Sequence, residues 1–280
     1  MSVTTSEHKI TIHSGSSSAE ILLYGATVIS WKQDGRQRLF VSNKSKLDGS
    51  KPVRGGIPIV FPHFGPNPEF GLPQHGFARN STWSFAGTQT ENATETTVAF
   101  SLEPEGVAPE LKGKWPHTFK LVYTVTLTKD SLTTSLSAEN TGASQFTFTS
   151  LLHTYFAVEN IDQTKVKGLQ GKLYDEKINN KFKVVEENEL VGIASEVDRV
   201  YYNVGNAGAQ IIENGNVTAF LTTRGFDDLV VWNPWIEKAA GMSDFQEGGY
   251  KFMLCAEVGQ IGTPVVLQPG QKWVGEQVLH

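Results

Sequence analysis

The stretch Phe146-Thr-Phe-Thr-Ser-Leu-Leu-His-Thr-Tyr-Phe-Ala-Val158 has the composition and the alternation of a β-strand. Successive side chains of a strand point to opposite faces, and the aromatic and aliphatic residues here fall mainly on one parity. The opposite parity carries hydroxyl side chains, with His153 near its middle. The pattern predicts a long strand with one face in a core and the other face at a binding site. Taken alone, His153 is more simply interpreted as a packed structural histidine.

Short segments with strand-like alternation recur along the chain and are separated by turn residues. Residues 97–102 and 119–128 alternate apolar and polar side chains in this way. The helical patterns are short, with candidates at residues 195–199 and 242–246. Many short strands at this spacing predict an all-β protein, a sandwich or barrel, in which residues 1–280 form one domain. A functional site would then combine residues that are far apart in sequence.

Composition, charge and cysteine content narrow the range of functions. The chain has 280 residues, of which 39% are hydrophobic and 19% are charged, and its net charge is −5. A negative chain gives no reason to expect nucleic acid or an anionic membrane as a partner. Cys255 is the only cysteine, which excludes an intrachain disulfide and a cysteine-based metal cluster. The first residues lack the apolar core of a signal peptide and no apolar run could span a bilayer, so we expect a cytoplasmic protein.

A proline-rich segment interrupts the strand pattern between residues 52 and 73, which contain six of the twelve prolines. Proline removes the backbone donor that an interior strand or a helix needs, so this segment is predicted to be a long loop. Arg54-Gly-Gly-Ile-Pro58 opens the loop, and Gln74-His-Gly-Phe-Ala-Arg79 closes it. Such a loop on a β scaffold is often functional, although a structural loop with surface arginines fits the same pattern.

Two carboxylates stand out from their surroundings. Glu257 interrupts the apolar segment Met253-Leu-Cys-Ala-Glu-Val258 and shares its parity with Met253 and Cys255. A carboxylate buried there would be costly unless it is hydrogen-bonded or ready to take a proton, whereas on an edge strand it would face water. Asp198 could bind a ligand, cap a helical turn or pair with Arg199. The sequence spacing alone leaves these alternatives open.

Six short motifs, each of them weak alone, follow one another along most of the chain. They are Arg54-Gly-Gly-Ile-Pro58, Gln74-His-Gly-Phe-Ala-Arg79, His153-Thr-Tyr-Phe156, Asp198-Arg-Val-Tyr201, Trp232-Asn-Pro-Trp235 and Cys255-Ala-Glu-Val-Gly259. Together and in this order they resemble the aldose 1-epimerase superfamily, specifically its hexose-6-phosphate mutarotase branch. Ala256 stands where this family leads us to expect a larger aliphatic residue, but its parity points away from Glu257.

The resemblance implies a galactose-mutarotase-like fold, a large antiparallel β super-sandwich whose concave face holds a sugar. It implies that His153 is the general acid of the reaction and that Glu257 is the general base. It also implies five substrate-binding residues: Arg54, Gln74, His75, Arg79 and Asp198. The resemblance further implies that Gln74 and Arg79 are the contacts added in the phosphate-using branch and that Asn233-Pro234 supports the site. We expect a monomer that binds a small hexose 6-phosphate and needs no metal or other cofactor.

The chemistry that the resemblance implies is the interconversion of the α and β anomers of an aldose. One group removes the proton of the C1 hydroxyl, another protonates the ring oxygen, and the open aldehyde turns before the ring recloses. A carboxylate and an imidazole on opposite sides of the anomeric carbon suit this exchange near neutral pH.

Three other functions stay open at this point. They are a noncatalytic carbohydrate-binding or sugar-phosphate-sensing sandwich, a general aldose 1-epimerase for unphosphorylated sugars, and a glycosidase that uses Asp198 and Glu257 as its carboxylate pair. The binding module has no need of Glu257 together with His153, and the glycosidase leaves His153 unexplained. An assay of hydrolysis on simple glycosides would separate the glycosidase from the epimerases.

Overall fold

Antiparallel strand pairs account for most of the regular structure in this computed structural model, which describes residues 2–280. The strands form three sheets of five, nine and eight strands. The smallest sheet is built from the first strands of the chain. It contains β1 (Val3–Thr5), β2 (Lys9–Ser14), β3 (Ser17–Leu22), β4 (Val28–Gln33) and β5 (Arg36–Gln37).

The nine-stranded sheet combines strands from the middle and the end of the chain. In spatial order it contains β16 (Leu190–Gly192), β13 (Thr164–Lys167), β18 (Ala209–Glu213), β19 (Asn216–Arg224), β22 (Lys272–Leu279), β10 (Leu132–Asn140), β9 (Phe119–Thr128), β8 (Glu95–Leu102) and β7 (Ser84–Glu91). Along β9, fully buried and half-buried side chains alternate without interruption. The strands predicted at residues 97–102 and 119–128 are therefore confirmed.

The eight-stranded sheet brings together segments that lie up to about two hundred residues apart in the chain. In spatial order it contains β15 (Lys181–Val185), β14 (Leu173–Glu176), β17 (Val197–Tyr201), β20 (Asp228–Asn233), β21 (Met253–Leu267), β11 (Phe146–Leu152) and β6 (Ile59–Val60), and β12 (Tyr155–Ala157) also pairs with β21. Packing of these sheets against one another confirms the predicted all-β, antiparallel super-sandwich.

The apolar face of the stretch 146–158 lies in a core that contains side chains of all three sheets. Burial of each such side chain contributes roughly 1.5–3 kcal/mol to stability. Leu151 and Tyr155 have the opposite parity and belong to a second apolar cluster, on the other face of the eight-stranded sheet. The predicted division of this stretch into two faces is therefore confirmed. The residues of the core face are Phe146, Phe148, Leu152, Phe156 and Val158.

The stretch is not one continuous strand, however, because it breaks at His153 and Thr154 between β11 and β12. The Thr154 amide donates to the Leu152 carbonyl at 2.9 Å, which makes a tight turn at His153. The His153 amide donates to the carbonyl of Pro58 at 3.0 Å. The break therefore ties the His153 backbone to the proline-rich loop.

The proline-rich segment 52–73 is mainly loop, as predicted, with one exception. Ile59 and Val60 form the two-residue strand β6, which pairs with β11 at the edge of the sheet. Pro58 and Pro62 flank this strand, in positions that an edge tolerates. A further bond, from the Phe64 amide to the Thr149 hydroxyl at 2.8 Å, fixes the loop against β11.

Helices are few and short in the described residues. They are α1 (Pro109–Lys112), α2 (Trp235–Gly241) and single 3₁₀ turns at Ala78–Asn80, Pro104–Gly106, Ile161–Gln163 and Gly249–Phe252. Both helix candidates from the sequence are wrong. Residues 195–199 lead into β17, which pairs on both sides, and residues 242–246 follow α2 rather than form a helix. The helices found between residues 2 and 280 are too short to cross a membrane.

Candidate active site

A pocket of about 330 Å³ opens on the face of the eight-stranded sheet that carries the second apolar cluster. Its walls come from β17, β20 and β21, from the proline-rich loop and from α2 with the segment after it. This volume is typical of sites that bind small molecules. The pocket combines residues from positions 54 to 257, as expected for a site on a β-sandwich.

Strand β21 places Glu257 at the floor of the pocket. Leu254, Ala256 and Val258 belong to the main core, whereas Met253 and Cys255 belong to the second cluster. Glu257 shares the second parity, so its carboxyl group points toward the pocket rather than into the main core. Only 1% of its surface is exposed.

The surroundings of Glu257 favour its neutral form. Burial raises the pKa of Glu257 well above its ordinary value, and the charge of Asp198 adds to this effect. Lys177 and Arg79 act in the opposite direction with smaller effect. Carboxyl groups that act as acid–base catalysts near neutral pH commonly have a raised pKa.

His153 lies beside Glu257 at the break between β11 and β12. Its ring stacks on the ring of Tyr155 at a centroid distance of 4.6 Å and an interplanar angle of 9°. The ring edges of His75 and Trp232 enclose it from two further directions, at 5.8 and 6.0 Å. Burial lowers the pKa of His153 well below its usual value, and nearby positive charge adds to this shift.

The imidazole and the carboxyl group are in direct contact. His153 Nδ1 lies 3.4 Å from Glu257 Oε2, and neither atom has a hydrogen-bond partner among residues 2–280. An unpaired buried polar group costs about 1–3 kcal/mol, so such a pair points to function rather than stability. Because burial disfavours the charged form of each group, the pair favours a neutral carboxylic acid beside a neutral imidazole. Transfer of the proton from Glu257 to His153 within this contact produces the carboxylate and the imidazolium that an acid–base reaction needs.

His75 and Gln74 form the wall of the pocket that comes from the proline-rich loop. His75 Nδ1 accepts a hydrogen bond from the Gly65 amide at 3.1 Å, which leaves the ring proton on Nε2. The side-chain nitrogen of Gln74 lies 3.3 Å from this Nε2. Burial and the positive charge of Arg79 lower the pKa of His75 to about 2. His75 is therefore a neutral hydrogen-bond donor at the pocket.

Arg54 lines the pocket and is held in place by Asp244. Its Nε lies 3.2 Å from both carboxylate oxygens of Asp244, and its Nη2 lies 3.1 Å from Oδ2. Its Nη1 donates to the Tyr155 hydroxyl at 3.5 Å. Burial opposes the charged form, but Tyr155 and Asp244 together keep the pKa of Arg54 above its ordinary value. Arg54 thus carries a fixed positive charge beside Tyr155, the residue on which the His153 ring stacks.

Asp198 lies on β17 opposite Trp232 of β20, and both residues line the pocket. Burial raises the pKa of Asp198, and Lys177 at 4.0 Å partly opposes this shift. Arg199 instead lies 3.2 Å from Glu186, so the alternative in which Asp198 pairs with Arg199 is excluded. Asp198 is therefore free to accept a hydrogen bond from a ligand.

Arg79 is the one predicted site residue that the structure places outside the pocket wall, judged from the part of the chain that is described. Its Nη2 donates to the Gln74 carbonyl at 2.8 Å, and its buried Nε has no partner among the described residues. Burial, together with the charge of Arg54, lowers the pKa of Arg79 to about 10. It therefore supplies positive charge from behind the Gln74–His75 wall.

Several pocket residues had not been predicted from the sequence. Lys177 follows β14 and Lys238 lies in α2, and both line the pocket, whereas Asp244 follows α2 and contacts the pocket residue Arg54. Their access to the pocket depends on the pairing of distant strands, which leaves no local pattern. The helix α2 had a detectable signal, because the strong helix formers of Glu237-Lys-Ala-Ala240 follow an Asn-Pro turn.

Asn233 connects the end of β20 to the start of β21. Its side-chain nitrogen donates to the carbonyls of Tyr250 and Met253, both at 2.9 Å, and its oxygen accepts the Trp235 amide at 2.8 Å. These bonds agree with a supporting position for Asn233-Pro234.

The thiol of Cys255 is buried near the acid–base pair, and ligand atoms of Cys255, His153 and Glu257 lie within 4.8 Å of one another. Such a set has the chemistry to hold a soft divalent ion.

Comparisons with known proteins place the chain among sugar epimerases. The sequence profile of the aldose 1-epimerase family matches residues 8–280. A protein from Cenchrus ciliaris, provisionally named glucose-6-phosphate 1-epimerase, is 38% identical over 269 residues, which cover 93% of this chain and 80% of that protein. A protein from Escherichia coli with the same provisional name is 33% identical over 240 residues, which cover 85% of this chain and 78% of that protein. A Salmonella typhimurium crystal structure, provisionally assigned as a mutarotase, has a TM-score of 0.87 at 28% identity, with 99% of this chain and 92% of that chain covered.

The fold and the family match together define a class of protein, the sugar epimerases that are built on an antiparallel β super-sandwich. The chain belongs to the aldose 1-epimerase family. It is an isomerase of the mutarotase type with a small-molecule sugar as substrate.

Proposed function

We propose that this enzyme is a glucose-6-phosphate 1-epimerase, which interconverts the α and β anomers of hexose 6-phosphates. The observation that supports the phosphorylated substrate is the charge of the pocket. Three cations, Arg54, Lys177 and Lys238, line the pocket of a chain whose net charge is −5. The names of the relatives from Cenchrus ciliaris and Escherichia coli agree with this substrate.

In the proposed reaction, which starts from the ionised pair, the Glu257 carboxylate removes the proton from the C1 hydroxyl while the His153 imidazolium protonates the ring oxygen. The C1–ring oxygen bond breaks, the free aldehyde turns about C1–C2, and the ring closes with the proton transfers reversed. His153 Nδ1 and Glu257 Oε2 lie side by side, 3.4 Å apart, and not on the opposite sides of the anomeric carbon that the resemblance led us to expect. This arrangement suits the reaction because both substrate oxygens are attached to the same carbon. Each positioned group typically contributes on the order of 10²–10⁴-fold to the rate.

The remaining residues are proposed to hold the sugar while its ring is open. Asp198 accepts hydrogen bonds from sugar hydroxyls, and His75 and Gln74 donate or accept from the opposite loop. Such contacts keep the aldehyde in the site and favour ring closure over release. Arg54 contacts the substrate directly from the pocket wall.

Arg79 is proposed to contribute to phosphate binding together with Arg54. The sequence favours Arg79 as the firmer phosphate ligand, whereas the structure puts only Arg54 at the pocket wall. From its position behind Gln74, Arg79 adds positive charge and orients the Gln74 backbone. Both arginines thus attract a dianion, with Arg54 as the nearer of the two.

We also propose that residues 1–280 form one monomeric, cytoplasmic domain. The main core supports one domain, because it contains both Ile10 and Leu279. The lone Cys255 is buried and unpaired, which suits a reducing compartment. Sedimentation of the pure protein at several concentrations tests the monomer, and limited proteolysis that yields two folded halves would contradict the single domain.

The experiment that tests the proposed function is NMR exchange between the anomers of glucose 6-phosphate, with and without the protein. Catalysed exchange without hydrolysis is the expected result. Binding without exchange would instead fit a noncatalytic sugar-binding protein. Cleavage of simple glycosides would fit a glycosidase, which the proposal excludes.

A further inference from the structure

Four cationic side chains lie at or directly behind the pocket, and they differ in what their charged groups contact. The Arg54 guanidinium is bound to Asp244, and Arg79 Nη2 donates to the Gln74 carbonyl. Lys238 Nζ donates to Glu196 Oε1 at 2.7 Å. Lys177 Nζ makes no hydrogen bond within residues 2–280, and the carboxylate oxygen of Asp198 lies 4.0 Å away. Of the three cations that line the pocket, Lys177 is the one whose charged group makes no hydrogen bond among the described residues.

The ammonium group of Lys177 is nevertheless held in position. It lies over the ring of Phe64, 4.0 Å from the ring centroid, so that the lysine reaches from the β14–β15 hairpin to the proline-rich loop. Phe64 and Lys177 both line the pocket. A cation over an aromatic face is stabilised by the ring quadrupole without losing its hydrogen-bond donors. The ammonium group of Lys177 is therefore held in position while its N–H groups can still donate hydrogen bonds to a ligand.

The turn that presents Lys177 is also fixed. Glu176 is buried, and its carboxylate accepts the amides of Ile178 and Asn179 at 2.7 and 3.2 Å and the Asn179 side chain at 2.7 Å. The Lys177 amide donates to the Asp198 carbonyl at 3.0 Å, which joins the hairpin to β17. The side chain is 41% exposed, so a ligand can reach it.

We propose that Lys177 is a specificity-determining residue that binds the phosphate group of the substrate, with Phe64 holding its ammonium group in place. This inference rests on the proposed function. An ammonium group at the pocket wall that makes no hydrogen bond within residues 2–280 complements a phosphate dianion, whereas the donors of Arg54 are largely taken by Asp244. A structural role would be different, because Lys177 would then only orient Asp198 for the sugar ring.

The test compares kcat/KM for glucose 6-phosphate and for free glucose in Lys177→Met, with Lys177→Arg as the conservative variant. Charge-assisted hydrogen bonds of typical strength predict a loss of about ten- to a hundredfold for the phosphorylated sugar in Lys177→Met. Free glucose should lose efficiency by a much smaller factor, the effect of removing one charge near Glu257 and Asp198. Lys177→Arg, which keeps this charge, should retain most of the selectivity. The matched control is Lys181→Met, on the same hairpin and with the same change of charge, which should behave as wild type.

Inhibition by inorganic phosphate gives a second measurement that does not depend on turnover of the phosphorylated sugar. With free glucose as substrate, the inhibition constant of phosphate should rise by the same factor in Lys177→Met and stay unchanged in Lys181→Met. Equal losses on both sugars, or an unchanged preference, would overturn the role of Lys177. A wild-type enzyme without preference for the phosphorylated sugar would instead overturn the proposed function itself.

Discussion

Replacement of Glu257 by glutamine separates the catalytic role of this residue from its contribution to folding. The side chain is 1% exposed and its Oε2 has no hydrogen-bond partner among residues 2–280. Because burial raises the pKa of Glu257, its neutral acid form is the one that the fold favours, and glutamine closely resembles that form. We therefore expect the free energy of unfolding at neutral pH to fall by no more than about 1 kcal/mol, the size of one ordinary hydrogen bond.

Glutamine cannot take a proton from the C1 hydroxyl, so the chemical step should suffer instead. Loss of a general base predicts a decrease in anomer exchange by on the order of 10²-fold or more. The assay is magnetisation exchange between the C1 protons of α- and β-glucose 6-phosphate, measured at several enzyme concentrations. Circular dichroism and urea unfolding of the same samples report the fold and its stability.

Glu186→Gln provides the matched control. Glu186 is also buried, at 2% exposure, but it lies outside the pocket and accepts the Tyr201 hydroxyl at 2.8 Å and Arg199 Nη1 at 3.2 Å. Its replacement should cost about 1–3 kcal/mol of stability and leave exchange per folded molecule unchanged. The assignment of Glu257 as the base would be refuted by wild-type exchange in Glu257→Gln.

Three further predictions concern the partner histidine, the pH dependence of stability and the second arginine. His153→Asn should also reduce anomer exchange by on the order of 10²-fold while the circular dichroism spectrum stays unchanged, and full exchange in this variant would remove the acid role. Because burial raises the folded-state pKa of Glu257, its contribution to stability is fully present below the unfolded pKa of about 4.3 and is lost as the pH rises through the folded pKa. Urea unfolding should therefore show Glu257→Gln gaining stability relative to wild type between about pH 4 and pH 8, and a constant difference would contradict the raised pKa. Arg79→Ala should lose efficiency on glucose 6-phosphate with little change on glucose, and equal loss on both sugars would assign Arg79 to the sugar ring or to the fold.

The position of Glu257 could be predicted from the sequence because strand alternation is a local property. The residues from Met253 to Val258 divide between two apolar clusters by parity, so the face on which Glu257 lies follows from its neighbours. The same reasoning assigned the two faces of 146–158. It did not foresee the break at His153, which depends on a hydrogen bond to Pro58 nearly a hundred residues earlier.

The positively charged part of the pocket could not be predicted in the same way. Lys177 reaches the pocket because β14 pairs with β17, and Asp244 contacts Arg54 because the segment after α2 folds back onto this arginine. Neither contact has a counterpart in the residues next to it in sequence. Arg79 is close to His75 in sequence, but it lies in the 3₁₀ turn Ala78–Asn80 and does not line the pocket, so its role in binding stays a prediction.

The central claim is that one pocket joins an acid–base pair for ring opening to positive charge for a phosphate group. The most direct measurement uses a single NMR sample that contains equal concentrations of glucose and glucose 6-phosphate, both below saturation, together with the wild-type protein. Anomer exchange should be faster for glucose 6-phosphate by at least about tenfold, the effect of one charge-assisted hydrogen bond to the phosphate. Equal exchange of the two sugars would contradict the phosphate preference, and no catalysed exchange of either sugar would contradict the account as a whole.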